Sequence, residues 1–147
     1  MPPALATICP GKGDRRQRPS DLIEQIHDAA RTLRGGNRSE ALLIYHEVKD
    51  RSERNPAVEL QLGHLCEEFG DIDEAVMHYE IVVEQVPDNA QYQSILGTSY
   101  LHAHELEKAR ETLEKALELD PDLADAQHGL GVYYMRRLDH ENAIGPL

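Results

Sequence analysis

A spacing of 34 residues runs through this chain and limits what it can fold into. Leu62-Gly63 recurs as Leu96-Gly97 and again as Leu130-Gly131. Ala41, Ala75, Ala109 and Ala143 form a second ladder at the same step, and Pro87 and Pro121 a third. Tyr45, Tyr79 and Leu113 stand four residues after the first three alanines. Between these marks the apolar residues follow helical periodicity, so each copy reads as a pair of helices. A glycine inside a helix costs about 1 kcal/mol against alanine. Its recurrence implies a close helix crossing, with the alanines as facing small residues and Tyr45, Tyr79 and Leu113 filling the space beside it. Pro87 and Pro121 cannot continue a helix and force the turn into the next copy.

The period, with Leu-Gly early, Ala midway, a large apolar residue four later and Pro at the end, resembles the tetratricopeptide repeat. The resemblance covers Leu22 to Leu147 and implies an all-α fold: a right-handed superhelix, or α-solenoid, of antiparallel helix pairs. No single copy can bury its own apolar face, so neighbours must stack. We divide the chain into a leader over 1–19, expected to be disordered, and repeats over 20–55, 56–89, 90–123 and 124–147. The first is degenerate, with Asp28-Ala29 where later copies have Leu-Gly. Ser20 or Asp21 is expected to cap the first helix, Asn37 or Ser39 the second, and Asp71 or Asp73 the fourth. The last repeat is incomplete, with Gly145-Pro146 early in its second helix. That leaves an apolar side uncovered and suggests the N-terminal part of a larger bacterial protein.

The chain has 147 residues, 40% of them apolar, with one Phe and no Trp, so its core must be aliphatic and Ala-rich. Its formal net charge is −12. Residues 56–89 hold nine acids and no Lys or Arg, so most of that excess sits in one copy. Such an acidic face is read first as solvated, and second as a dock for a basic partner. The charge argues against nucleic acid and anionic membranes as partners, because both attract basic surfaces. Cys9 and Cys66 are too few for a disulfide framework, and Cys66 falls at a core position. No apolar run is long enough to span a membrane, and the N-terminus lacks a secretory pattern. A cytoplasmic location is the expectation.

Catalytic and metal signatures are missing. Gly11-Lys12-Gly13-Asp14 lacks the spacing of a phosphate loop, and no nucleophile elbow or dinucleotide loop occurs. His102 and His104 are the only close pair among eight histidines, and residues two apart on a helix do not share a face. We expect no catalytic residue, no cofactor, no metal and no enzyme activity.

The resemblance implies binding instead. In this family the first helix of each repeat lines a concave groove that receives an extended peptide or a helix. Carried over by position, the second repeat contributes Leu60, Gln61, His64 and Glu68. The third contributes Gln91, Ser94, Ile95, Thr98 and His102, and the fourth Asp125, His128, Val132 and Arg136. The degenerate first repeat would add Ile26, His27, Ala30 and Arg34. Some members grip a C-terminal carboxylate with Lys, Arg and Asn on these helices. Here the Lys and Asn are missing, which argues against such a clamp. His64, His102 and His128 raise the question of pH-dependent binding, against the plainer reading of ordinary exposed histidines. The expected function is a non-catalytic scaffold for a protein or peptide partner. The alternative is the recognition arm of a larger enzyme, such as a sulfotransferase or glycosyltransferase. Self-association through the incomplete last repeat is a third reading.

Overall fold

The computed structural model describes residues 18–144, all of them helical or in short turns. Seven helices are present among the described residues: α1 (Pro19–Arg34), α2 (Arg38–Arg51), α3 (Pro56–Phe69), α4 (Ile72–Gln85), α5 (Ala90–His102), α6 (Leu106–Leu119) and α7 (Ala124–Ile144). They fall into two compact units, one ending at Glu53 and the other beginning at Arg54. None of the helices is long and apolar enough to cross a membrane. The expected leader lies outside the described residues up to position 17, and Pro19 already belongs to α1.

In the first unit α1 pairs with α2. Leu22, Ile26, Ala29 and Ala30 on α1 and Ala41, Tyr45 and Val48 on α2 form the buried stripes. The N-cap of α1 is Arg18, not Ser20 or Asp21, and its side chain makes no capping bond. Pro19 opens the helix at a position where a missing N–H costs nothing. Asp21 favours the dipole from within the first turn. Asn37 caps α2 as expected, accepting from the Glu40 N–H at 3.2 Å.

The second unit holds α3 to α7. Helix α3 pairs with α4 and α5 with α6, α4 also packs on α5, and α7 lies against α5 and α6. Three of these helix starts have a side-chain cap. Asn55 accepts from the N–H groups of Ala57 and Val58, Asp71 from Glu74, and Asn89 from Tyr92. Helix α3 stops at Gly70, whose φ of 86° is the left-handed conformation a glycine cap supplies. The core is aliphatic, built on Val58, Leu62, Leu65, Val82, Leu96, Leu101 and Leu113, with Tyr79 and Tyr133 also fully enclosed. Cys66 is a buried thiol within it.

The helix crossings are tight, but the glycines face other residues than expected. A Cβ on Gly63 would lie 2.3 Å from the Tyr79 ring, and one on Gly97 would lie 2.6 Å from Leu113 Cγ. Ala75 and Ala109 are fully buried, yet the large residues four positions on are what press against the glycines. A Cβ on Gly131 would meet nothing within 4 Å among the described residues.

Two further expectations change. The fourth repeat does not start a second helix, because α7 runs on for 21 residues. The chain turns at Gly36, Gly70 and His104, each 34 residues apart, with φ of 98°, 86° and 63°. The next position at that step is Leu138, whose branched side chain resists left-handed backbone, and the helix continues through it. Glu59, counted among the solvated acids, is buried with 2% exposure, and its Oε1 lies 2.6 Å from His78 Nδ1. On α6, Arg110 gathers the acids, bridging Glu107 at 3.0 Å and Glu114 at 3.1 Å.

Candidate functional site

Helices α3, α5 and α7 present one face to a common open cavity of about 340 Å³ in the second unit. Its wall on α3 is His64 and Glu67. Gln91, Ser94, Ile95, Thr98 and His102 of α5 form the floor, and Asp125 and His128 of α7 close the far side. The geometry follows from helical spacing: Gln91, Ser94/Ile95, Thr98 and His102 recur every three or four residues and so share one face of α5.

Side-chain bonds already fix much of this surface. Gln91 donates through Nε2 to Asp125 Oδ2 at 3.0 Å, joining equivalent positions of neighbouring repeats across the cavity mouth. On α3, His64 Nδ1 lies 2.8 Å from Tyr79 Oη and 3.6 Å from Glu67 Oε1. Burial alone would raise the Glu67 carboxyl. Hydrogen bonds to His64 and Tyr79, with the charge that His64 and His102 carry when protonated, outweigh burial and hold it below the ordinary carboxylate range. The Tyr79 phenol is pushed upward, first by burial and then by the neighbouring Glu67 charge. It therefore stays protonated and remains a hydrogen-bond donor.

Eight of the thirteen residues assigned by position line this cavity: His64, Gln91, Ser94, Ile95, Thr98, His102, Asp125 and His128. Leu60, Gln61, Glu68 and Val132 do not line it. Arg136 is placed elsewhere: its Nη1 donates to the Leu101 carbonyl at 2.5 Å, beside His104, Leu106 and Glu107. The long side chain reaches across to the end of α5, where the Leu101 carbonyl also accepts from the His104 N–H at 3.0 Å. Glu67 is a lining residue that positional transfer missed; it lies three residues after His64, within one helical turn. Of the first-repeat residues, Ile26 and Ala30 belong to the core stripe of α1.

The lining offers amide, hydroxyl and imidazole groups, two carboxylates and the half-buried Ile95. It contains no Lys or Arg. Among the described residues no group of three or more His, Cys, Asp or Glu is placed to hold a metal ion.

A model of the Tetratricopeptide repeat family matches residues 60–124 and 96–147. The chain belongs to the tetratricopeptide repeat family. Among curated proteins it is 31% identical over 83 residues to the BBSome complex member bbs-4 of Caenorhabditis elegans, a match that takes in 56% of this chain and only 18% of that one. Among solved structures, the first tetratricopeptide domain of Spaghetti (RPAP3), bound to an HSP90 peptide, aligns with a TM-score of 0.65 at 17% identity, covering 84% of this chain and 98% of that one. YrrB, described as having an unusual peptide-binding site, gives 0.60 at 25% identity over 73% of this chain and 55% of its own. The O-GlcNAc transferase of Thermobaculum terrenum gives 0.58 at 26% identity over 80% of this chain, but only 23% of the enzyme.

Proposed function

We propose that this tetratricopeptide chain is a non-catalytic binding module that holds an extended peptide or a helix in the cavity between α3, α5 and α7. The observation that carries the reading is the convergence of eight transferred positions on one open cavity rimmed by side-chain donors and acceptors. Gln91, Thr98 and His102 suit the main-chain groups of an extended guest, and Ile95 offers a small apolar contact. The likeness to RPAP3 and YrrB supports a peptide as the occupant. The absence of Lys and Arg from the lining argues against a grip on a terminal carboxylate.

A selection from a random-peptide library on the intact protein, followed by calorimetry on the selected peptides, tests this. Gln91→Ala/Thr98→Ala/His102→Ala should weaken binding at least tenfold while leaving the thermal melt within a few degrees. Peptides that bind both proteins equally would remove the cavity from the account.

A second reading makes the chain the recognition arm of a larger enzyme. The alignment to part of an O-GlcNAc transferase, of which this chain spans under a quarter, favours it. Sequencing the gene beyond codon 147 decides it, and an immediate stop codon would eliminate it.

A further inference from the structure

We propose that the guest of the cavity between α3, α5 and α7 is a basic peptide segment that sets an arginine between Glu67 and Asp125, with its guanidinium beside the Ser94 hydroxyl. The inference rests on the peptide-binding reading above and gives that peptide its chemistry. Glu67 and Asp125 stand on the two outer helices of the cavity, and α5 forms the floor between them. From Ala90 to His102 that floor carries no Asp, Glu, Lys or Arg. Asp125 bonds to an uncharged amide, Gln91 Nε2 at 3.0 Å, and makes no ion pair among the described residues. Glu67 keeps its charge beside His64 and Tyr79.

The chain's own cations do not answer these carboxylates. Helices α3 and α4 contain no Lys or Arg. On α7, Arg136 donates to the Leu101 carbonyl, while Arg137 donates to Tyr133 Oη at 3.0 Å and bridges Glu141 at 3.3 Å. Residues 54–147 hold nineteen acids against six Lys and Arg, and the resulting field draws a cation inward. Ser94 is a second, independent feature. It is 1% exposed, lines the cavity, and its hydroxyl makes no hydrogen bond among the described residues. A buried polar group without a partner calls for one. A guanidinium presents five N–H donors in one plane, so it can meet a carboxylate with two and a hydroxyl with a third. An acidic guest would instead find like charge on both sides.

The experiment takes the peptides of the random library that bind the full chain but not Gln91→Ala/Thr98→Ala/His102→Ala. These cavity binders should share an arginine at one position. Each is then made with citrulline, the neutral isostere, in place of that arginine. The exchange should weaken binding to the unsubstituted chain about tenfold. On Glu67→Gln/Asp125→Asn, which keeps the shape of both side chains, it should change affinity less than about twofold. Binding of the arginine form should also fall by about threefold or more between roughly 50 and 200 mM salt. Cavity binders that lack the arginine, or that bind as tightly with citrulline, would overturn this inference and leave the peptide-binding reading standing. So would an equal loss on the double variant, which would seat the arginine elsewhere. A library that yields no cavity binder would overturn both.

Discussion

Gln93 donates through its Nε2 amide to the carbonyl oxygen of Pro87 at 2.9 Å, and one repeat later Gln127 does the same to Pro121 at 2.8 Å. A glutamine inside the first turn of a helix thus ties down the proline that ended the helix before it. Gln93 is 3% exposed, whereas Gln127 is on the surface. Truncating Gln93 to Ala should cost about 1–3 kcal/mol, because a buried side chain loses its packing and its hydrogen bond together. Gln127→Ala should cost no more than about 0.5 kcal/mol. Urea unfolding of the two variants reads the difference, and equal losses would mean the bond contributes little.

The glycine contacts give a second expectation. Gly97→Ala brings a methyl against Leu113 and should destabilise by about 1–3 kcal/mol. Combining it with Leu113→Ala should cost less than the sum of the two single changes, since the second removes the atoms the first collides with. Additive losses in chemical denaturation would show that the crowding lies elsewhere.

Ser99 is fully buried, and its Oγ has no hydrogen-bond partner among the described residues. An unpaired buried hydroxyl is a net cost. Ser99→Ala should therefore leave the melting temperature unchanged or raise it by a few degrees, as a calorimetric scan would show. A marked drop would reveal a partner for the hydroxyl.

The Glu67 carboxyl is held below its ordinary range in the folded state. A depressed carboxyl contributes stability that is fully present above its unfolded value and is lost as pH falls through the folded one. Glu67→Gln should thus flatten part of the acid limb between about pH 5 and pH 2, with little change in the slope between pH 6 and pH 8. Denaturant titrations across that range measure it, and identical acid limbs would show that His64 and Tyr79 do not stabilise the charged carboxylate.

The pairing of the first six helices was readable because each ladder has a local cause. A proline must end a helix, a helical glycine must face something large, and Asn37 and Asp71 advertise the starts they cap. What escaped was side-chain traffic between distant positions. Glu59 looks like any surface acid on α3. Only the fold brings it within 2.6 Å of His78, and it occupies the register that Gln93 and Gln127 hold in later repeats. Arg136 was assigned to the cavity by position alone. Its reach to the Leu101 carbonyl depends on where α7 crosses the end of α5. The run of α7 through Leu138 was visible in principle, had the left-handed ladder of Gly36, Gly70 and His104 been read beside the others.

The Gln91–Asp125 bond has a consequence for whatever enters the cavity. The host already spends its strongest acceptor on its own amide, so an arriving guest begins in competition with the scaffold. A segment that brings a cation or an amide to Asp125 recovers what it displaces, whereas a purely greasy one must strand an acid at the doorway.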